Sequence, residues 1–152
     1  MKIIRSPKIN ATIILIITAF YSLVFILTSG HVEFERVLNH ASTLNSVFWN
    51  TWSDFLAQGN MKYIGYAYII IAVAIVILSF TRKQNYDEYQ AGILEKGFIA
   101  AGIAMVCLFP LALLMILSEP NYSIETIIFL VVAHWSVVLL AELVYVIKWS
   151  KA

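Results

Sequence analysis

Charge is what this chain has least of. Asp, Glu, Lys and Arg make up 12% of its 152 residues, against roughly 25% in soluble domains. A water-soluble fold of this size would lack polar surface for its exterior. Cysteine is almost absent: Cys107 stands alone, which excludes an intrachain disulfide and any thiolate cluster or redox pair built from one chain. The formal net charge is +1, so no bulk charge argues for nucleic acid. The signatures of common enzymes are missing too. There is no G-x-S-x-G, H-E-x-x-H, C-x-x-C, phosphate-cradling glycine loop or dinucleotide fingerprint. The expectation is a protein that is not an enzyme and needs no cofactor.

Apolar sequence is what the chain has most of. It is 61% hydrophobic, with a mean hydropathy of +0.85. The apolar residues gather into runs at 9–29, 63–81, 97–117 and 124–147. At about 1.5 Å per helical residue, such runs can cross roughly 30 Å of hydrocarbon. The fold class expected is all-α: a polytopic membrane protein forming one membrane domain, with four transmembrane helices in an antiparallel bundle. Lys2, Arg5 and Lys8 precede the first run, as in a signal peptide. That run is longer than an h-region of about 7–15 residues and no A-x-A-like site follows it, so it reads as a retained signal anchor.

The positive charges set an orientation. If the spans alternate, Lys2, Arg5, Lys8, Arg82, Lys83, Lys96, Lys148 and Lys151 share one side, and only Arg36 and Lys62 fall on the other. The positive-inside rule then places both termini and the 82–96 loop in the cytoplasm of a cell-membrane protein, with the 30–61 loop outside. The short links joining the last three spans predict that they pack as antiparallel neighbours. Small residues favour close approach in lipid: Gly65, Ala67, Ala72 and Ala74 in the second span, and Gly97, Ala100, Ala101, Gly102 and Ala104 in the third. Asn85 and Glu88 resemble a capping box, Pro110 predicts a kink in the third span, and Ser123 suits the N-cap of the fourth, with Glu125 in its first turn. Cys107 reads as a small core residue.

The outer loop carries an aromatic pattern. Phe48, Trp52 and Phe55 fall at i, i+4 and i+7, with Trp49 and Leu56 beside them. They form one face of a short amphipathic helix, stopped by Gln58, Gly59 and Asn60. Trp suits the membrane–water boundary. The helix is expected to cover span ends, and Phe48, Trp49, Trp52 and Phe55 are the candidate partner interface. In the same loop His31, Glu33, Glu35 and His40 have the chemistry of a metal site, but their spacing fits no strong motif and they read as a solvated face. Asp87 and Glu88, lacking a nearby histidine, read as helix-capping groups.

Ionisable groups inside a span are costly, and they face protein or water. His134 and Glu142 both lie in the fourth run, separated by about 12 Å of rise and about 80° of rotation. His134 is expected to hydrogen-bond a neighbouring helix. Glu142 is expected to reach towards the headgroups or bond between helices. The functional expectation is an accessory or regulatory subunit acting through a protein partner, either another membrane protein or a second copy. A small proton-coupled transporter using His134, Ser136 and Glu142 is the alternative. A redox subunit whose haem uses His134 is a third; it would need a second histidine from another chain.

Overall fold

The computed structural model describes residues 7–38, 46–81 and 88–151, with side chains described for 7–38, 46–81 and 95–148. Asn85 and Asp87, and so the expected cap, lie outside the described residues, as does His40. The described chain is helical, with no strand. Four helices are long and apolar enough to cross a membrane. They belong to α1 (Pro7–Thr28), α4 (Met61–Phe80), α5 (Glu88–Ser118) and α6 (Ser123–Lys151). Between the first two lie α2 (Val32–Val37) and α3 (Val47–Ala57). A 3₁₀ turn at Pro120–Tyr122 leads directly into α6. Ser123 is therefore already helical rather than an N-cap, and its Oγ donates to the Pro120 carbonyl at 2.5 Å.

The inward stripes of α1 and α4 combine small and polar residues with a few large apolar ones. In α4 the buried residues are Met61, Gly65, Tyr68, Ala72, Ile75 and Ser79, the alternating four-and-three spacing of a heptad seam. In α1 they include Ala11, Ile14, Thr18, Ser22 and Phe25. Other bulky side chains point the other way: Ile16, Phe20 and Leu27 on α1 and Ile70 and Ile77 on α4 are exposed. Lipid is as apolar as leucine, so burying leucine gains little there, whereas close backbone contact and interhelical hydrogen bonds do.

Contacts are strongest between α1 and α4 and between α5 and α6, with α4 also against α6. Lys8 sits 5.6 Å from the centroid of the Phe80 ring, Gly65 lies against Ser22 and Ile26, and Gly59 against Gly30. Numbers thus rise along α1 as they fall along α4. The corner where α1 ends is stitched by Ser29, whose Oγ donates to the Gly59 carbonyl and accepts from the Lys62 N–H at 3.3 Å. Gly30 and Gly59 both have positive φ, and a Cβ on Gly59 would stand 3.2 Å from the Gly30 nitrogen. That residue ends α3 as the sequence predicts.

Three expectations need correction. The second and third spans are not principal neighbours: α4 packs on α1 and α6, and α5 packs mainly on α6. Gly97 meets Ala141 of α6, where an added Cβ would lie 3.6 Å from the alanine's. Ala101 is the one buried residue among α5's described side chains. Ala100 and Gly102, expected at a helix contact, are exposed. Cys107 is exposed as well rather than in the core. The reason is shared: with α6 as its principal neighbour, α5 leaves most of its circumference uncovered.

The α1–α4 contact yields a direct test. A Cβ at position 65 would lie 3.1 Å from the Ser22 carbonyl oxygen, backbone that cannot swing aside, whereas one at Gly102 meets nothing within 4 Å. Gly65→Val should destabilise the protein by about 1–3 kcal/mol, the usual cost of overpacking, and lower its melting temperature in detergent. Gly102→Ala should not lower it, and the gain in helix propensity should raise it slightly.

Candidate functional site

The polar side chains buried among the spans converge on α6. Midway along it, the Trp135 indole N–H donates to Thr18 Oγ1 at 3.1 Å, and the same ring packs on Tyr21 at 5.0 Å between centroids. One residue further, Ser136 Oγ lies 2.8 Å from the Tyr68 hydroxyl, which also lies 2.7 Å from the Val132 carbonyl oxygen. The tyrosine has one proton to give, so when it donates to Val132 the serine donates to it. These bonds tie α1 and α4 to α6.

Towards the end that carries Lys8 and Lys148, α6 presents Glu142. It is 4% exposed and turned inward, not towards the headgroups. The reason is Asn10 of α1, whose side-chain amide is set against the carboxyl. The pairing is incomplete: neither Asn10 Nδ2 nor Glu142 Oε1 makes a hydrogen bond of normal geometry. Glu142 also forms part of the wall of a small cavity with Ile14, Gly97, Phe98, Ala101, Val138 and Ala141.

The opposite end of α6 holds a second buried carboxyl. Glu125 is 0% exposed, and its Oε1 accepts from Ser53 Oγ of α3 at 2.9 Å. The Trp52 indole N–H donates to the Glu125 carbonyl at 3.0 Å, and the Tyr122 hydroxyl donates to Asn50 Oδ1 at 2.8 Å. Phe48, Trp49 and Trp52 all stand edge-on to Phe129, with centroids 5.3 to 5.9 Å away. Thus α3 is pinned to the start of α6 by polar bonds as well as by rings. Its fully covered residues are Ser53 and Leu56. Serine is small enough to let the helix axes approach and supplies the donor for Glu125.

The aromatic face read from the sequence is only partly covered. Val47 is 85% and Phe48 52% exposed. Together with Thr51, Trp52 and Phe55 they line an apolar trough of about 340 Å³. A second apolar cavity, about 200 Å³, lies between Trp49 and the facing sides of α5 and α6, with Met115 and Phe129 in its wall. Trp49 therefore belongs to the interior, and Phe48 to the surface.

His134 stands apart from these contacts. It is half-buried, and by helical register it shares the α5-facing stripe with Leu130 and Ala141. It forms no hydrogen bond or ion pair with the described residues; the adjacent Trp135 and Ser136 make the interhelical bonds expected of it. In the loop, Glu33 pairs with Arg36 at 2.9 Å on an exposed surface. No group of three His, Cys, Asp or Glu is placed to hold a metal among the described residues.

Sequence reasoning missed Asn10, Thr18, Tyr68 and Trp135 as the residues that meet across the helices. The available signal was their stripe: Asn10, Thr18 and Ser22 recur along one face of an otherwise greasy helix, and polar residues in a span mark the protein-facing side. No family model matches the chain, and neither a curated protein nor a solved structure matches it.

Thr18→Val should cost about 1–3 kcal/mol, because it leaves the buried Trp135 N–H without its acceptor, and Trp135→Phe should cost more, since the smaller ring also leaves a void. The double variant should cost less than the sum, because both changes remove the same bond. Unfolding of the set in detergent measures this; full additivity would mean that the bond contributes nothing.

Proposed function

We propose that this is a non-catalytic integral membrane protein, an accessory or regulatory subunit that acts through a protein partner. In this reading it lies in a cell membrane as an antiparallel four-span bundle. Both termini are cytoplasmic, and α3 forms a cap on the outer surface. The observation that supports the partner is the trough beside α3. Eleven residues are too few to span a bilayer, yet the helix sets Val47 and Phe48 outward beside half-covered Trp52 and Phe55. Large apolar side chains gathered at an exposed surface mark interaction sites, and aromatic anchors dominate binding energy where they enter a partner's pocket. The helix beneath is held by Ser53, Trp52 and Asn50, so the trough is presented on a fixed platform. Preorganisation of that kind reduces the entropy cost of association.

The division of labour within α3 supplies the experiment. Trp52 and Ser53 hold the helix, so their loss would confuse folding with binding. Val47 and Phe48 can be altered without breaking any of those bonds. A photo-crosslinking amino acid at Phe48, activated in native membranes, should capture one protein at a defined mass. Val47→Asp with Thr51→Asp, both exposed in the trough and outside the ring contacts that hold α3, should abolish its co-purification while leaving melting in detergent within about 0.5 kcal/mol of the parent, as for other surface changes. Capture of lipid alone would refute a protein partner at this surface, and a crosslink to a second copy would identify the partner as the chain itself.

A further inference from the structure

Glu142 has a role that the α3 surface does not involve. Its carboxyl is nine-tenths buried, and among the described residues no lysine, arginine or histidine pairs with it. An isolated ionised carboxylate in apolar surroundings is strongly unfavourable, and such a group neutralises instead. Two ways of neutralising it are a bound cation and a bound proton, and the surroundings distinguish them. A metal ion stripped of water needs about six oxygen ligands. Among the described residues the Asn10 side chain is set against the carboxyl, and apart from Glu142 the cavity wall is apolar. The cavity measures about 10 Å³, close to the space that one water requires. That is room for a water to carry a proton in or out, and too little for a coordination shell.

The groups at the same end of the spans are compatible with this. Of the charged groups with described side chains on α1, α5 and α6 at this end, Lys8, Glu95, Lys96 and Lys148 are exposed and not turned onto Glu142. Ser79 of α4 and Tyr145 of α6 are buried there and uncharged in their ordinary state. We propose that Glu142 is a proton-binding site. Its carboxyl holds a proton opposite Asn10 and exchanges it, through the small cavity bounded by α1, α5 and α6, with the water at the Lys148 end of the span. The assignment is independent of any partner on α3, because it concerns the opposite end of α6.

The test uses the full chain in phosphatidylcholine vesicles and the hydrophobic reagent dicyclohexylcarbodiimide. A protonated carboxylic acid adds across the N=C=N bond, its proton passing to one nitrogen, and the adduct rearranges to a stable N-acylurea. An ionised carboxylate in water does not accumulate that product. At neutral pH, peptide mass spectrometry should find the adduct on Glu142 and not on exposed Glu95. Labelling should fall as the pH is raised and be absent from Glu142→Gln. Infrared spectra should show a protonated-acid carbonyl band that Glu142→Gln lacks and Glu142→Asp retains at a shifted position, which keeps the assignment testable if the glutamine variant does not fold. Absence of both the adduct and the band at neutral pH would overturn the proposal. So would protection from labelling by sodium at constant pH, which would make the ligand a metal cation.

Discussion

The structure depends on one constraint: a polar side chain on a span has no water to turn to, so it must be met by another helix. That constraint falls mainly on α6. Its indole at Trp135, hydroxyl at Ser136 and carboxyl at Glu142 face Thr18, Tyr68 and Asn10, so polar groups tie α1 and α4 to α6 while α1 packs chiefly on α4. At its start the same helix places the Glu125 carboxyl against Ser53, and so determines where α3 lies. By contrast, α5 meets α6 through small residues, with Gly97 against Ala141 and Ala101 buried beside them. Its attachment rests on close packing.

The two ends of α6 use a buried carboxyl differently. Glu125 is drawn into a set of bonds that join the cap to the spans, and its neighbours Trp52 and Tyr122 each hold α3 a second time. Glu142 has an amide opposite it and apolar walls around it. Equal burial thus leaves one carboxyl integrated into a scaffold and the other facing a space. A group of the second kind is where ionisation state and local structure are coupled, because either state must be accommodated without a fixed counter-ion.

Four helices long and apolar enough to cross a membrane were legible because lipid thickness sets the length of such runs, although α5 begins at Glu88, well before the apolar run at 97–117. The inward faces were less legible. A soluble helix buries its greasiest stripe, and the α3 pattern predicts one aromatic face of Phe48, Trp52 and Phe55, with Trp49 and Leu56 beside them, that covers span ends or meets a partner. The covered residues are Ser53 and Leu56, since a small donor beside Glu125 outweighs the burial of another ring. His134 drew attention as a lone imidazole, yet the bonds are made by the residues next to it. Tertiary pairing decides such cases: which polar residue finds a partner depends on what stands opposite, and periodicity along one helix carries no record of that. The exposed Cys107 has the same origin, since nothing local to α5 states that α6 is its principal neighbour.

The placement of α5 is the most direct check on α6 as the helix around which the others are arranged. Disulfide formation requires Cβ atoms about 3.5–4.5 Å apart, and positions 97 and 141 meet that condition. In a Cys107→Ser background, Gly97→Cys with Ala141→Cys should cross-link rapidly in native membranes on mild oxidation. Ile103→Cys paired with Val73→Cys of α4, both on exposed faces, should stay reduced within a monomer. The account predicts the first result with the second. A disulfide between positions 73 and 103, with none between 97 and 141, would mean that α5 packs on α4 instead, and would contradict it.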